Sequence, residues 1–253
     1  MNAHNLTFGR RLLAMVGTVA AVLEHAERCR EQRDTLGGAD TALANLCDEI
    51  AELSARRVEI CERITAARRR AAPKLAKAVN DELSELALPD AAFAVVIEPR
   101  PDGPGPGGAD RIEFEVAINP GLPAAPLRET ASGGELSRIM LALLTAVQSR
   151  DGGTYVFDEV DAGIGGRTAR AVGERLRDLG ARQQVLCITH LAQVAAVAQT
   201  HFHIAKSRVG GTTNIEVRGL VADEIVEELR RMLGGEDGDT AALEHARELL
   251  AAA

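Results

Sequence analysis

Apolar residues recur at alternating spacings of three and four along the first third of the chain: Leu43, Leu46, Ile50, Leu53, Ile60, Ile64, Ala67 and Ala71. Arg57 interrupts one core position, and Glu49, Glu52, Arg56, Glu59, Glu62 and Arg63 fill the outer face. This is the seam of a coiled coil, which must be covered by a partner helix. The stretch before Gly37-Gly38 is the candidate within the chain and it is short, so the partner is expected from elsewhere. Pro73 interrupts the pattern; Leu75, Val79, Leu83 and Leu86 carry it on, and Pro89 ends it. Residues 1–88 are therefore expected to form a helical coiled-coil arm.

The period then changes. Phe93, Val95 and Ile97 alternate with smaller residues, and Ile112, Phe114, Val116 and Ile118 alternate with Arg111, Glu113, Glu115 and Ala117. Both segments predict strands, the second half-buried. The Pro/Gly-rich stretch 99–108 between them reads as an exposed, mobile hairpin connection. After Pro126 strands and helices alternate. Helices are expected at 135–149, 167–179, 223–233 and 240–250, with a short one after Leu191. Strands are expected at 154–157, 185–189, 201–205 and 214–217, the last two joined at Gly210-Gly211. Strand 154–157 is apolar throughout, as a strand covered on both faces is. The alternation predicts an α/β fold with a parallel sheet and flanking helices.

Composition narrows the function classes. The chain has 253 residues, 46% of them hydrophobic, with no Trp and a formal net charge of -8. A core built from Leu, Val, Ile and Ala follows, and binding nucleic acid by bulk charge does not. The four cysteines, Cys29, Cys47, Cys61 and Cys187, form no Cys-x-x-Cys pair and fit a reducing cytoplasm. Arg10-Arg11 before the apolar run Leu12–Leu23 superficially resembles a signal peptide. That run is too short to span a bilayer, and the charged stretch 24–33 follows it.

Two short stretches carry the chemistry. Ser132-Gly133-Gly134-Glu135 opens a helix. Ser132 and Glu135 can form a capping box, while the paired glycines let the backbone approach a ligand at a helix N-terminus, a place suited to phosphate. Tyr155-Val156-Phe157-Asp158-Glu159 is an apolar strand that releases two carboxylates at its end, where open parallel sheets bind ligands. Asp158 suits Mg²⁺ and Glu159 suits polarising a water. Asp161 follows and can reach a partner subunit. His190 ends the next apolar strand, where it can meet a γ-phosphate.

In this order, Ser-Gly-Gly-Glu-Leu-Ser-Arg (132–138), Phe-Asp-Glu-Val-Asp-Ala-Gly (157–163) and Ile-Thr-His (188–190) resemble the signature, Walker B, D-loop and switch histidine of the ABC-type ATPases. The coiled-coil arm narrows the resemblance to the SMC-like branch, and the longer stretches 131–142, 157–168, 189–195 and 241–250 to its bacterial DNA-repair members. The likeness runs from about Ala42 to the end. It implies that residues 89–253 form the C-terminal lobe of an ATPase head for double-strand-break repair. In such heads two nucleotides are sandwiched between the phosphate loop of one head and the signature helix of the other. Ser132, Gly133, Gly134 and Glu135 would then be the signature, extended by Ser137 and Arg138. Asp158 would be the Mg²⁺ ligand, Glu159 the catalytic base, Asp161 the D-loop and His190 the switch.

The Gly-x-x-x-x-Gly-Lys loop that the resemblance calls for is not in this sequence. The three lysines, Lys74, Lys77 and Lys206, follow Pro73, Ala76 and Ala205. The expectation is a C-terminal half whose ATP site is completed by an N-terminal half or a second head, in the cytoplasm and on the nucleoid when assembled, with DNA contacted through the assembled parent and no membrane contact. The alternative is a non-catalytic module that docks on a complete head. An ABC transporter subunit fits poorly with the arm. Arg68-Arg69-Arg70, with Arg56, Arg57 and Arg63, form a positive stretch that reads first as a solvated helix face.

Overall fold

The computed structural model describes residues 18–130, 132–147, 153–209 and 212–252. The run at Arg10-Arg11, Ala131, the predicted helix end at Ser149 and the Gly210-Gly211 turn lie outside the described residues. The chain divides into two compact units, residues 1–64 and 65–253.

Helix α1 covers Val19–Glu85 without a break. It passes through Gly37, Gly38 and Pro73, so Gly37-Gly38 is not a turn and the preceding stretch does not fold back as a partner. Pro73 deletes one backbone donor, but it is exposed, and the orphaned carbonyl of the preceding turn can turn to water. In the first unit Leu36, Leu43, Leu46, Ile50, Leu53 and Ile60 are all exposed. Among the described residues nothing covers these positions of the expected seam.

In the second unit the end of α1 is a core element. Val79 and Leu83, with Leu86 just past the helix, are fully buried against Phe93, Val116, Ile139, Leu141, Val160 and Val172. Strands β1 (Ala92–Pro99) and β2 (Asp110–Ala117) pair antiparallel, and the short β3 (Ala125–Pro126) adds to β2. The Asn80 side-chain amide bonds both backbone groups of Phe93, accepting from its N–H at 2.7 Å and donating to its C=O at 3.1 Å. Thr65 Oγ1 donates to both Asp110 oxygens at 2.7 and 2.9 Å, and Arg68 donates to Asp110 at 3.0 Å and to Gly107 O at 2.8 Å. The Pro/Gly connection is therefore fastened to α1, and Arg68 is a structural cation, not part of a solvated face. Glu82 near the end of α1 accepts from Arg175 at 2.6 Å.

Helices α2 (Leu127–Thr130) and α3 (Gly133–Val147) lead to β4 (Thr154–Phe157). Helix α4 (Gly166–Gly180) returns to β5 (Gln184–Cys187), and β4 and β5 pair in parallel. After α5 (Ala192–Ala195) come β6 (His201–Val209) and β7 (Thr212–Leu220), an antiparallel pair, then α6 (Ala222–Met232) and α7 (Thr240–Ala251). The predicted α/β alternation is present, but the parallel sheet is only two strands wide among the described residues. Strand β4 is also not covered on both faces. Val156 is 63% exposed, with Leu186 at 47% and Ile188 at 53%. Only Phe157 of β4 is buried, against the helices of the core. Among the described residues the mixed helix-and-sheet lobe thus leaves the β4–β5 face apolar and bare, and Phe202, Ile204, Ile215 and Val217 of β6 and β7 are exposed as well.

Candidate nucleotide site

The N-terminus of α3 is closed by the predicted capping box. The Glu135 carboxylate accepts from Ser132 N at 3.0 Å and Ser132 Oγ at 2.8 Å, and Ser132 Oγ accepts from Glu135 N at 3.4 Å. The glycines have a reason beyond ligand access. A Cβ on Gly134 would lie 2.9 Å from Ala162 Cβ and 3.0 Å from Glu159 O, and one on Gly133 would strike the Glu159 carboxylate. Close packing of the helix end on the turn after β4 therefore demands Gly134, and the Glu159 side chain sits over the helix N-terminus, where the backbone potential is positive.

That turn is conformationally special. Glu159 has φ +56, a left-handed backbone unusual for a residue with a side chain. Its carbonyl accepts from Ala162 N at 3.0 Å. The kink aims Asp158 and Glu159 into solvent, and neither carboxylate makes a hydrogen bond or ion pair among the described residues. Asp161 points the other way. It is 2% exposed and its Oδ2 accepts from Thr189 Oγ1 at 2.5 Å and His190 N at 3.0 Å. The His190 ring Nδ1 lies 3.2 Å from the same oxygen, while 71% of the His190 side chain is exposed. The expected reach of Asp161 to a partner subunit is not what this carboxylate does here: it is spent inside the chain, tying the turn after β4 to the end of β5.

Ser132, Gly133, Gly134, Glu135, Glu159, Asp161 and His190 are thus linked through α3 and the strand ends, with Asp158 at the tip of β4. Two further residues, Ser137 and Arg138, join the turn directly. Ser137 Oγ donates to Asp158 O at 2.6 Å, and Arg138 donates to Ala162 O at 2.9 Å. Only their position in the signature stretch pointed to them; nothing in the spacing told that they hold this turn. Cys187, beside the turn, has its thiol pushed up to about 12, first by burial and then by the charges of Asp161 and Asp158.

The donor set fits a hard divalent cation in part. Asp158 and Glu159 offer free oxygens, but no group of three or more candidate ligands exists among the described residues. Mg²⁺ held here would need water and phosphate oxygens for the rest of its shell, as Mg²⁺ commonly does. No described helix is long and apolar enough to cross a membrane.

No protein-family model matches the chain. Curated relatives do. DNA repair protein RecN of Halalkalibacterium halodurans is 39% identical over 237 residues, 92% of this chain and 42% of its own length. RecN of Treponema pallidum is 40% identical over 242 residues, 93% of this chain and 42% of its own. RecN of Streptomyces coelicolor is 43% identical over 215 residues, 79% and 38% of the two. The chain thus spans about two-fifths of the length of the relatives it matches. Among solved structures, an Smc head domain with a coiled coil and joint from Pyrococcus yayanosii aligns with a TM-score of 0.46 at 20% identity, covering 84% of this chain and 37% of that one. With 39–43% identity to RecN proteins over most of its length, this chain belongs to the RecN family of DNA repair proteins, of which it is a C-terminal portion.

Proposed function

We propose that this chain is the C-terminal half of an ATP-hydrolysing, SMC-like protein of recombinational double-strand-break repair. It completes a composite ATP site whose lysine-bearing phosphate loop comes from an N-terminal half or a second head. The observation that carries this reading is the turn after β4. It places two free carboxylates beside a glycine-opened helix N-terminus and, through Asp161, ties them to an exposed histidine. No lysine of the chain follows a glycine, so the amide-and-lysine cradle for the β- and γ-phosphates has to be supplied from elsewhere.

In this reading each residue has a defined task. Asp158 would hold Mg²⁺, which, when bound, neutralises charge building on the phosphates. Glu159 takes the proton of the attacking water. Asp161 receives the His190 Nδ1–H, which fixes the tautomer and turns Nε2 outward to the transferred phosphoryl group. The α3 N-terminus, with Ser132 and its free amides, binds a nucleotide held by the opposing head. The bare apolar face of Val156, Leu186 and Ile188 and the uncovered seam on α1 receive the N-terminal half of the head and its returning helix. DNA is engaged by the assembled parent in the cytoplasm.

A second reading is favoured by that same bare face: a module that docks on a complete head without catalysis. The two part in one experiment. Adding this chain to a separately produced N-terminal half stimulates ATP turnover if it completes sites, and adding it to an already complete head suppresses turnover if it is a decoy.

A further inference from the structure

The main chain from Asp158 to Ala162 is gripped from a single helix. Ser137 Oγ donates to Asp158 O at 2.6 Å; Arg138 Nη1 donates to Ala162 O at 2.9 Å and, more weakly, to Val160 O at 3.4 Å. Two adjacent residues of α3 thus take the carbonyls of residues 158, 160 and 162, alternate peptides of the turn. Asp161, between them, is held from the opposite side by Thr189 and His190.

Arg138 sits in an unusual place for a cation. It is 6% exposed, makes no ion pair among the described residues, and its Nε is buried without a partner. Burial lowers its pKa, with the Glu135 charge opposing. An unpaired guanidinium in the interior is costly, and an apolar residue like the neighbouring Ile139 and Leu141 would fill the space without that cost. What an apolar residue cannot do is donate to two carbonyls at once.

We propose that Ser137 and Arg138 are positioning residues that clamp the 158–162 turn to α3, so that the helix N-terminus, Asp158-Glu159 and, through Asp161, His190 move as one body. What the clamp serves rests on the ATP-site reading above. There α3 faces a nucleotide held by the opposing head while Asp158 and Glu159 face the nucleotide of their own, and the clamp makes the two sites mechanically one. The clamp itself stands on geometry alone.

Hydrogen exchange on the purified chain tests it. The amides of Ala162, Ile164 and His190 bond to Glu159 O, Asp161 O and Asp161 Oδ2. In Arg138→Met these amides are expected to exchange about ten-fold faster, while those of α6 and α7 keep their rates. Arg138→Lys, which keeps the charge but loses the fork, and Ser137→Ala should show the same pattern more weakly, and they serve if Arg138→Met does not fold. Wild-type rates at all three amides in the folded variants overturn the clamp. A second arm uses the chain joined to the N-terminal half in trans. Arg138→Lys is expected to lower kcat about ten-fold with KM for ATP little changed. Faster exchange with full turnover overturns the coupling of the two sites. A wild-type assembly that never turns over ATP overturns the ATP reading instead, and the exchange rates still decide the clamp.

Discussion

Asp161 and His190 are joined twice: one carboxylate oxygen accepts from the His190 main-chain N–H at 3.0 Å and lies 3.2 Å from its ring Nδ1. With Thr189 as a third donor, this buried acid holds the end of β5 to the turn after β4. Asp161→Ala leaves a hydroxyl and an amide without their acceptor and is expected to cost about 1–3 kcal/mol of stability. Asp161→Asn, which retains one acceptor oxygen, should cost less. Urea midpoints of the two variants check the order; equal midpoints with wild type would show that the link carries no stability.

Gly133 and Gly134 should separate in a stability measurement. Gly134→Ala drives a methyl against Ala162 Cβ and Glu159 O, neither of which can swing aside, and is expected to cost about 1–3 kcal/mol. Gly133→Ala meets only the tip of the Glu159 side chain, so it should stay within about 0.5 kcal/mol of wild type. In the proposed composite site, where Glu159 acts on the attacking water, displacing that acid is expected to make Gly133→Ala a defect of turnover and not of folding. Chemical denaturation of both variants reads the difference, and a larger loss at Gly133 would contradict it.

Cys187 should resist alkylation. Its thiol is pushed up to about 12, so it stays protonated at pH 8, whereas Cys29 and Cys47 are exposed. Mass mapping after iodoacetamide is expected to find Cys29 and Cys47 modified long before Cys187. The sign of the linkage follows. The folded state disfavours this thiolate, so its contribution is intact below the unfolded value of about 8.5 and is lost as pH rises from there. Early modification of Cys187 in folded protein would contradict the assignment.

The Asp110 carboxyl is held below its ordinary value, first by the Thr65 hydroxyl and then by Arg68, with burial opposing. A depressed carboxyl stabilises above the unfolded value of about 4 and stops doing so as pH falls through the folded one. Asp110→Asn should therefore melt below wild type at pH 7, and the gap should close towards pH 3. A gap of the same size at both pH values would remove Asp110 from the forces fastening the β1–β2 connection to α1.

Much of this was legible in the residues themselves. The capping box needs only Ser132 and Glu135 at the right spacing, and the strand at 112–118 is written in strict alternation. Continuity of α1 was not legible, because Pro73 and the Gly37-Gly38 pair act as breakers only where the chain has somewhere else to go. The bare face of β4 was hidden for a different reason. An apolar strand reads as covered on both sides, and periodicity cannot tell whether the covering element belongs to the same stretch of chain. The internal use of Asp161 depends on Thr189 and His190, some thirty residues away, a pairing no local pattern encodes. Arg138 was legible only as an extension of the signature stretch; packing placed it inside.

ATP turnover by the chain mixed with a separately produced N-terminal half bearing the phosphate loop tests the central claim most directly. Each half alone should be inactive, the mixture should hydrolyse ATP, and Glu159→Gln in this chain should reduce that rate by about two orders of magnitude or more. Robust hydrolysis by this chain alone that Glu159→Gln abolishes, or a stable mixture that never turns over ATP, would contradict the composite site.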